Sequence, residues 1–198
     1  MLRAIVLASS SPYRREQLAL LRVAFTTAVP GIDEAPLAGE QPGATARRLA
    51  LAKARACAAA VPDALVIGAD QVAELDGVAI GKPGGHAAAA AQLRAMSGRT
   101  VHFHSGLAVL DAASGRFEHG CTQTEVHFRS LLPAQIEAYL NADQPYDCAG
   151  SARIESMGIC LVDSVRSDDP TALVGLPLIL LCSQLAAFGV DVLAAPAP

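Results

Sequence analysis

Hydroxyl, cationic and aromatic side chains cluster at residues 9–15, SSSPYRR, directly after an apolar run at 4–8. Serine is a preferred N-cap and proline suits the first helical position, so Ser11 and the proline after it predict a helix start. A strand that leads into a helix N-terminus presents free N–H groups and the positive end of the helix dipole, which together bind anions. Ser9, Ser11 and Arg14 would add donors to such a site. An ordinary cap with solvated arginines would need the same residues.

Two acidic positions could hold a metal ion or act on water. Asp70 follows the apolar segment 65–68, and ligands gather beyond strand ends in α/β folds. Asp33 and Glu34 follow a candidate strand, and their hard oxygen atoms suit Mg²⁺ or Mn²⁺. An aspartate satisfied by backbone amides in a turn, and a solvated acidic loop, would also explain these residues.

Two further candidates lie later in the chain. Lys82 follows a hairpin signal, Asp-Gly at residues 76–77, and could meet a phosphate. The segment is not a Walker A motif, because proline follows the lysine where serine or threonine is required. Glu155 lies in a segment bracketed by the glycines at 150 and 158, and it could bind a ligand or only solvent. A surface turn lysine and a solvated loop acid are the alternative interpretations.

Composition narrows the class of protein. Of the 198 residues, 52% are hydrophobic and 17% are charged, which is typical of a globular chain. The net charge of -4 argues against a nucleic-acid partner, which would need a basic face. Five cysteines without CxxC spacing indicate reduced thiols in a cytoplasmic protein. The apolar region 173–187 is interrupted by glycine and proline and is short for a membrane span, so no membrane partner is expected.

Hydrophobic patterning predicts the elements that must position these side chains. Continuous apolar runs indicate buried strands, alternation indicates half-buried strands, and longer alanine- and leucine-rich segments indicate helices. The predicted strands span 4–8, 25–29, 65–68, 100–111, 117–129 and 159–165, and the predicted helices begin after residue 11 and span 44–60, 85–96, 133–141 and 178–188. This mixture of helices, apolar strands and hairpins predicts an α/β fold with a mixed sheet.

The order of these segments resembles that of the Maf-like nucleotide pyrophosphatases. The matching segments are residues 7–12, 14–15, 32–34, 52–54, 68–71, 81–83, 97–98, 149–150 and 174–178. They run over nearly the whole chain, so residues 1–198 are expected to form a single domain. The resemblance implies a mixed twisted sheet flanked by helices, with two lobes and a central cleft, related to the inosine-triphosphate pyrophosphatase folds.

The resemblance also implies a reaction. Members of this family hydrolyse a nucleoside triphosphate to the monophosphate and pyrophosphate by metal-assisted attack of water at the α-phosphorus, with Mg²⁺ or Mn²⁺. The family pattern places Asp70 at the catalytic centre, has Glu34 help hold the cation, and puts Lys53 and Lys82 on the phosphates. A carboxylate at Asp70 can accept the proton of the water or hold the cation, and both roles stay open. The lysines and Arg14 would stabilise the departing pyrophosphate.

Three positions resemble the specificity sites of the family: Tyr13, Gln71 and Glu155. The branch acting on dTTP and UTP typically carries Arg, Thr and Gln there, whereas the branch acting on 7-methyl-GTP carries an aromatic residue, Gln and Glu. Methylation makes guanine cationic, and Tyr13 could stack on a cation. Glu155 could accept both donors of the guanine edge. Relatives in this branch often have a second aromatic residue where Ala152 lies here, so a grip on both faces of the base stays open.

Other functions fit the same residues. Another modified purine or a pyrimidine nucleotide could be the substrate. A non-catalytic, nucleotide-binding regulator of cell division would be a different class of protein, although intact acids and lysines speak against it. The expected partner is a small-molecule nucleotide, without nucleic acid or membrane, and the sequence is compatible with a homodimer.

Overall fold

The computed structural model describes residues 3–194, in which a seven-stranded mixed sheet is flanked by five α-helices. The strands are β1 (Ile5–Ala8), β2 (Thr26–Ala28), β3 (Leu65–Leu75), β4 (Val78–Ile80), β5 (Thr100–Asp111), β6 (Phe117–Phe128) and β7 (Val162–Ser167). The helices are α1 (Pro12–Ala19), α2 (Pro42–Ala58), α3 (His86–Met96), α4 (Pro133–Asp143) and α5 (Leu178–Ala187). Short 3₁₀ helices span Ala149–Ser151, Met157–Leu161 and Ala172–Val174.

Two long strands connect the whole sheet. The strand order is β2-β1-β3-β5-β6-β7, and β4 pairs with β3 outside this path. Strand β1 runs parallel to β2 and β3, whereas the pairs β3-β5, β5-β6 and β6-β7 are antiparallel. Strands β3 and β5 pair without a break from Leu65 opposite Asp111 to Glu74 opposite His102. The predicted mixed sheet is therefore confirmed, and these two strands are its continuous centre.

Two lobes are built on the two ends of β3 and β5. At the first end, Leu65 and Ile67 pack with residues of α1 and α5, while Val66 on the opposite face packs against α2. At the second end, Ala73 and Phe103 pack with α3 and α4. Side chains alternate between the two faces of a strand, so Gln71 shares its face with Ile67 and Ala73 and lies between the two clusters. The two lobes of the expected fold thus share one sheet.

Helix α2 lies directly on the sheet backbone. A Cβ atom built on Gly68 of β3 would be 2.0 Å from the carbonyl oxygen of Ala50, and one built on Gly106 of β5 would be 2.2 Å from that of Ala46. Only glycine permits such a close approach of helix and strand. Lys53, on the same helix, is thereby held close to Asp70 on β3.

Several predicted elements are confirmed and two are corrected. Strand β5 has the predicted bounds, and the predicted hairpin is present, with positive φ angles at Asp76 and Gly77. The predicted strand 65–68 is too short, because pairing with β5 continues it to residue 75, so Asp70 lies inside a strand and not beyond its end. The predicted strand 159–165 is wrong at its start: residues 157–161 form a 3₁₀ helix.

Within residues 3–194, no helix combines the length and the hydropathy that crossing a membrane requires.

Candidate active site

The segment between β1 and α1 forms the predicted helix cap. Ser11 is the N-cap residue, and its Oγ accepts a hydrogen bond from the amide of Arg14 at 3.4 Å. The Oγ of Ser9 accepts one from the amide of Ser11 at 3.1 Å, and Pro12 is the first helical residue. The buried strand and the capped helix together fix the serine hydroxyls at the edge of a pocket.

This pocket has a volume of about 320 Å³ and is lined by both lobes. All eight residues predicted to bind substrate line it, namely Ser9, Ser11, Tyr13, Arg14, Lys53, Gln71, Lys82 and Glu155. Glu34 also lines it, whereas Asp33 does not and accepts a hydrogen bond from the amide of Ala35 instead. Residues separated by more than a hundred positions in the sequence therefore meet around one cavity.

Lys53 links the two acids predicted to hold a cation. Its Nζ lies 2.7 Å from Oδ1 of Asp70 and 2.7 Å from Oε1 of Glu34. The side chains of Lys53 and Asp70 are 5% and 8% exposed, whereas that of Glu34 is 48% exposed. Asp70 is absent from the pocket lining, and Lys53 lies between its carboxylate and that of Glu34. The two acids are thus close in space, on either side of one ammonium group.

Burial and charge act differently on the two acids. Burial raises the pKa of Asp70 and outweighs the opposing effects of Lys53 and Arg14. Burial also raises the pKa of Glu34, but hydrogen bonding to Lys53 and the nearby charges of Lys53, Lys82 and Arg14 together lower it below its ordinary value. The surroundings therefore shift the pKa values of the two carboxylates in opposite directions.

Arg14 is fixed by the segment that leads into α5. Its Nε donates a hydrogen bond to the carbonyl oxygen of Gly175 at 2.9 Å. Gly175 has a φ of 114°, and a Cβ there would be 3.4 Å from the same Nε. Burial lowers the pKa of Arg14, while the carboxylates of Asp70 and Glu34 raise it. The positive φ angle favours glycine at this position, and the carbonyl group of Gly175 thus holds Arg14 beside the two acids.

The loop that carries Glu34 is clamped to α2, a feature that sequence reasoning missed. Arg48 donates from Nε and Nη2 to the two carboxylate oxygens of Glu40, each at 2.7 Å, and also to the carbonyl oxygen of Ala35 at 3.1 Å. Thr45 adds a hydrogen bond at 2.9 Å. Hydrogen bonding to Arg48 lowers the pKa of Glu40 to about 2. No local sequence motif predicts this contact, because Glu40 belongs to a loop and Arg48 to a helix.

Gln71 presents its amide in one orientation. Its Nε2 donates to Ser105 Oγ at 3.1 Å and to the carbonyl oxygens of Ala172 and Leu173 at 3.1 and 2.9 Å. Ser105 Oγ itself donates to Ala172 O at 2.7 Å, so it acts as acceptor towards the glutamine. The nitrogen is engaged with acceptors only, which leaves the amide oxygen of Gln71 as the acceptor available to a ligand.

Tyr13 and Glu155 both line the pocket, and the positive charge of Arg153 acts on both. The guanidinium of Arg153 lies 5.5 Å from the centroid of the Tyr13 ring, a cation–π arrangement. Burial raises the pKa of the Tyr13 hydroxyl. The side chain of Glu155 is exposed, yet its surroundings desolvate it enough to raise its pKa. Ala152 also lines the pocket, so position 152 supplies no second ring there.

Glu34 and Asp70 have the donor chemistry that a divalent cation prefers. Within residues 3–194, no group of three or more His, Cys, Asp or Glu side chains could hold a metal ion. Mg²⁺ is commonly bound by one or two carboxylates, with phosphate oxygens and water completing its octahedron. Glu34 and Asp70 supply that number of carboxylates, and they already share one cationic partner.

Similarity to known proteins places the chain in a family. A family model described as Maf-like protein matches residues 4–188, and the chain belongs to this Maf-like family. A 7-methyl-GTP pyrophosphatase of Albidiferax ferrireducens is 54% identical over 193 residues, covering 98% of this chain and 97% of that protein. A 7-methyl-GTP pyrophosphatase of Paraburkholderia xenovorans is 58% identical over 194 residues, covering 96% and 95%. A dITP/XTP pyrophosphatase structure from Mycobacterium abscessus is a looser likeness, with 17% identity and a TM-score of 0.43 over 71% of this chain and 95% of that chain.

Proposed function

We propose that this chain is a single-domain nucleoside triphosphate pyrophosphatase that hydrolyses 7-methyl-GTP to the monophosphate and pyrophosphate with Mg²⁺ or Mn²⁺. The observation that carries the proposal is the convergence of all eight candidate substrate residues and Glu34 on one pocket. The relatives named 7-methyl-GTP pyrophosphatase, at 54% and 58% identity, support the choice of substrate. The proposed compartment is the cytoplasm, where thiols such as its five free cysteines stay reduced.

The phosphate chemistry follows from the charges around the pocket. Arg14, Lys53 and Lys82 bind the triphosphate, and they stabilise the negative charge that develops on pyrophosphate as the bond between the α- and β-phosphates breaks. Glu34 and Asp70 would hold the cation, which would supply positive charge to neutralise and orient the phosphates. Asp70 has a raised pKa because it is buried, which suits it to receive the proton of the attacking water.

Recognition of the base follows from acceptors and an aromatic face. The guanine edge presents N1–H and N2–H₂, and Gln71 offers an amide oxygen while Glu155 offers a carboxylate. The ring of Tyr13 suits a cationic base such as 7-methylguanine. Uracil and thymine present acceptors at O2 and O4, which these groups would leave unpaired. Each unpaired group costs about 1–3 kcal/mol, so discrimination of roughly ten- to a hundredfold per group is expected.

A nucleotide panel tests the proposal. Purified protein with Mg²⁺ is assayed for pyrophosphate release from 7-methyl-GTP, GTP, UTP and dTTP, and 7-methyl-GTP should give the highest kcat/KM. The Asp70→Asn variant should lose about 10²–10⁴-fold in kcat, because it keeps the shape of the side chain and removes its basicity. The Asp33→Asn variant, which changes an acid outside the pocket, should retain activity.

Three outcomes would contradict parts of the proposal. Full activity of Asp70→Asn would remove the catalytic assignment of this residue. Equal turnover of GTP and 7-methyl-GTP would be compatible with recognition of the guanine edge by Gln71 and Glu155. It would refute recognition of the methylated base by Tyr13. Absence of hydrolysis across the panel, with measurable nucleotide binding, would favour the non-catalytic regulator.

A further inference from the structure

Lys53 lies where a cation shared by Glu34 and Asp70 would lie. Both carboxylates contact its ammonium group at 2.7 Å, and the side chain of Lys53 is 5% exposed. Lys53 lines the pocket whereas Asp70 does not. Lys53 therefore lies between the pocket and the carboxylate of Asp70, and it already neutralises that carboxylate.

We infer that Lys53 holds the place of the divalent cation in the free protein and yields it when a triphosphate enters, so that metal and nucleotide bind together. The inference rests on the proposed function for the identity of the nucleotide and the cation. It goes beyond that function because it assigns an order of events and a second role to a lysine expected only to contact phosphate.

Lys53 and a divalent cation compete for the same two carboxylates. A divalent ion entering between Glu34 and Asp70 would meet an ammonium group already bonded to both, and like charges repel strongly at such distances. A triphosphate in the same pocket offers the ammonium a new anionic partner. The side chain can turn towards it, because lysine has a flexible four-carbon stem, whereas its Cα is fixed by α2 on the sheet.

Linkage makes the consequence measurable. If the nucleotide removes Lys53 from between the carboxylates, it raises the affinity of the site for metal, and metal must raise the affinity for nucleotide by the same factor. The free protein should then bind Mn²⁺ weakly, despite having two acids within reach of one position.

The test measures Mn²⁺ binding without nucleotide, by electron paramagnetic resonance or calorimetry. Lys53→Met should bind Mn²⁺ about tenfold or more tightly than the wild type, because the competing charge is gone. Lys82→Met is the matched control: it removes a lysine from the same pocket that contacts neither carboxylate, and it should gain at most about threefold through screened, longer-range charge. Adding Glu34→Gln to Lys53→Met should abolish the gain.

Equal Mn²⁺ affinity of wild type and Lys53→Met would overturn the inference, as would an equal gain in Lys82→Met. If Lys53→Met does not fold, Lys53→Gln replaces it. A further measurement needs only the wild-type protein. In the wild type, Mn²⁺ alone should leave the melting temperature unchanged, whereas Mn²⁺ with a 7-methyl-GTP analogue carrying an imido bridge between the α- and β-phosphates should raise it. A large shift with Mn²⁺ alone would refute the inference.

These measurements are separate from catalysis. Weak Mn²⁺ binding that Lys53→Met strengthens would uphold the inference even if the nucleotide panel found no hydrolysis. Hydrolysis of 7-methyl-GTP with unchanged Mn²⁺ binding in Lys53→Met would uphold the function and remove the inference.

Discussion

The backbone of α2 lies so close to β3 that Gly68 has no room for a side chain. A Cβ there would be 2.0 Å from the carbonyl oxygen of Ala50 and 2.8 Å from the amide nitrogen of Ala54. Ordinary van der Waals contact of a Cβ begins at 3.4 Å. The Gly68→Ala variant must therefore move the helix or the strand by about an ångström or more, because both neighbouring groups are backbone.

The magnitude follows from the rigidity of these neighbours. Adding a methyl group to a packed core costs about 1–3 kcal/mol where side chains can adjust. Here a 17-residue helix must shift, so we expect a loss of about 3 kcal/mol in the free energy of unfolding. For a chain of this size, that loss lowers the melting temperature by about 6–12 °C. The same shift separates Lys53 on the helix from Asp70 on the strand, so pyrophosphatase activity should also fall.

Urea unfolding and thermal melting measure the effect directly, with activity towards 7-methyl-GTP assayed at a temperature where all variants are folded. Gly81→Ala is the matched control, because nothing lies within 4 Å of a Cβ built at that position. It should stay within about 0.5 kcal/mol of the wild type. A Gly68→Ala protein that unfolds within about 1 kcal/mol of the wild type would show that α2 is not packed this closely on β3.

Two further predictions concern the base. Glu155→Gln replaces an acceptor-only carboxylate with an amide, so kcat/KM for 7-methyl-GTP should fall about tenfold or more while that for UTP stays within about twofold; equal losses on both substrates would contradict base recognition by Glu155. Because partial burial raises the pKa of Glu155, protonation should remove its charge at a higher pH than for an ordinary glutamate. As pH falls, the ratio of kcat/KM for 7-methyl-GTP to that for UTP should therefore decline at a higher pH than an ordinary glutamate would give, and the decline should be absent in Glu155→Gln. A wild-type ratio that is independent of pH would refute this assignment.

The strands whose side chains alternate strictly could be predicted from sequence. Residues 100–111 have the predicted bounds: burial alternates from residue 100 to residue 105, where one set of side chains packs in the core, and residues 106–110 are buried on both faces. The continuation of β3 through Asp70 and Gln71 could not be predicted, because polar residues in it face a pocket and a lysine instead of solvent. Their strand conformation comes from ten backbone pairings with β5, which is a long-range effect.

The resemblance to the Maf-like family, together with the residue types, also predicted side chains that line the pocket, since all eight substrate candidates do. Their partners could not be predicted in the same way. Lys53 bonds Asp70 across 17 residues of sequence, and Gln71 bonds the carbonyl of Leu173 across 102. Such contacts depend on how α2 and the segment before α5 lie on the sheet, and no local pattern encodes that arrangement.

The packing of α2 also limits what can change when a ligand enters. Gly68 fixes the helix on β3, and the Arg48–Glu40 ion pair fixes the loop beyond Glu34. Asp70 lies in a strand paired on the sheet and is 8% exposed, whereas Glu34 is 48% exposed. The exposed Glu34 side chain therefore has room to rotate, and the four-carbon stem of Lys53 can turn while its Cα stays in place. Exchange of an ammonium group for a divalent ion then needs only side-chain rotation, because the backbone already holds Asp70 in place.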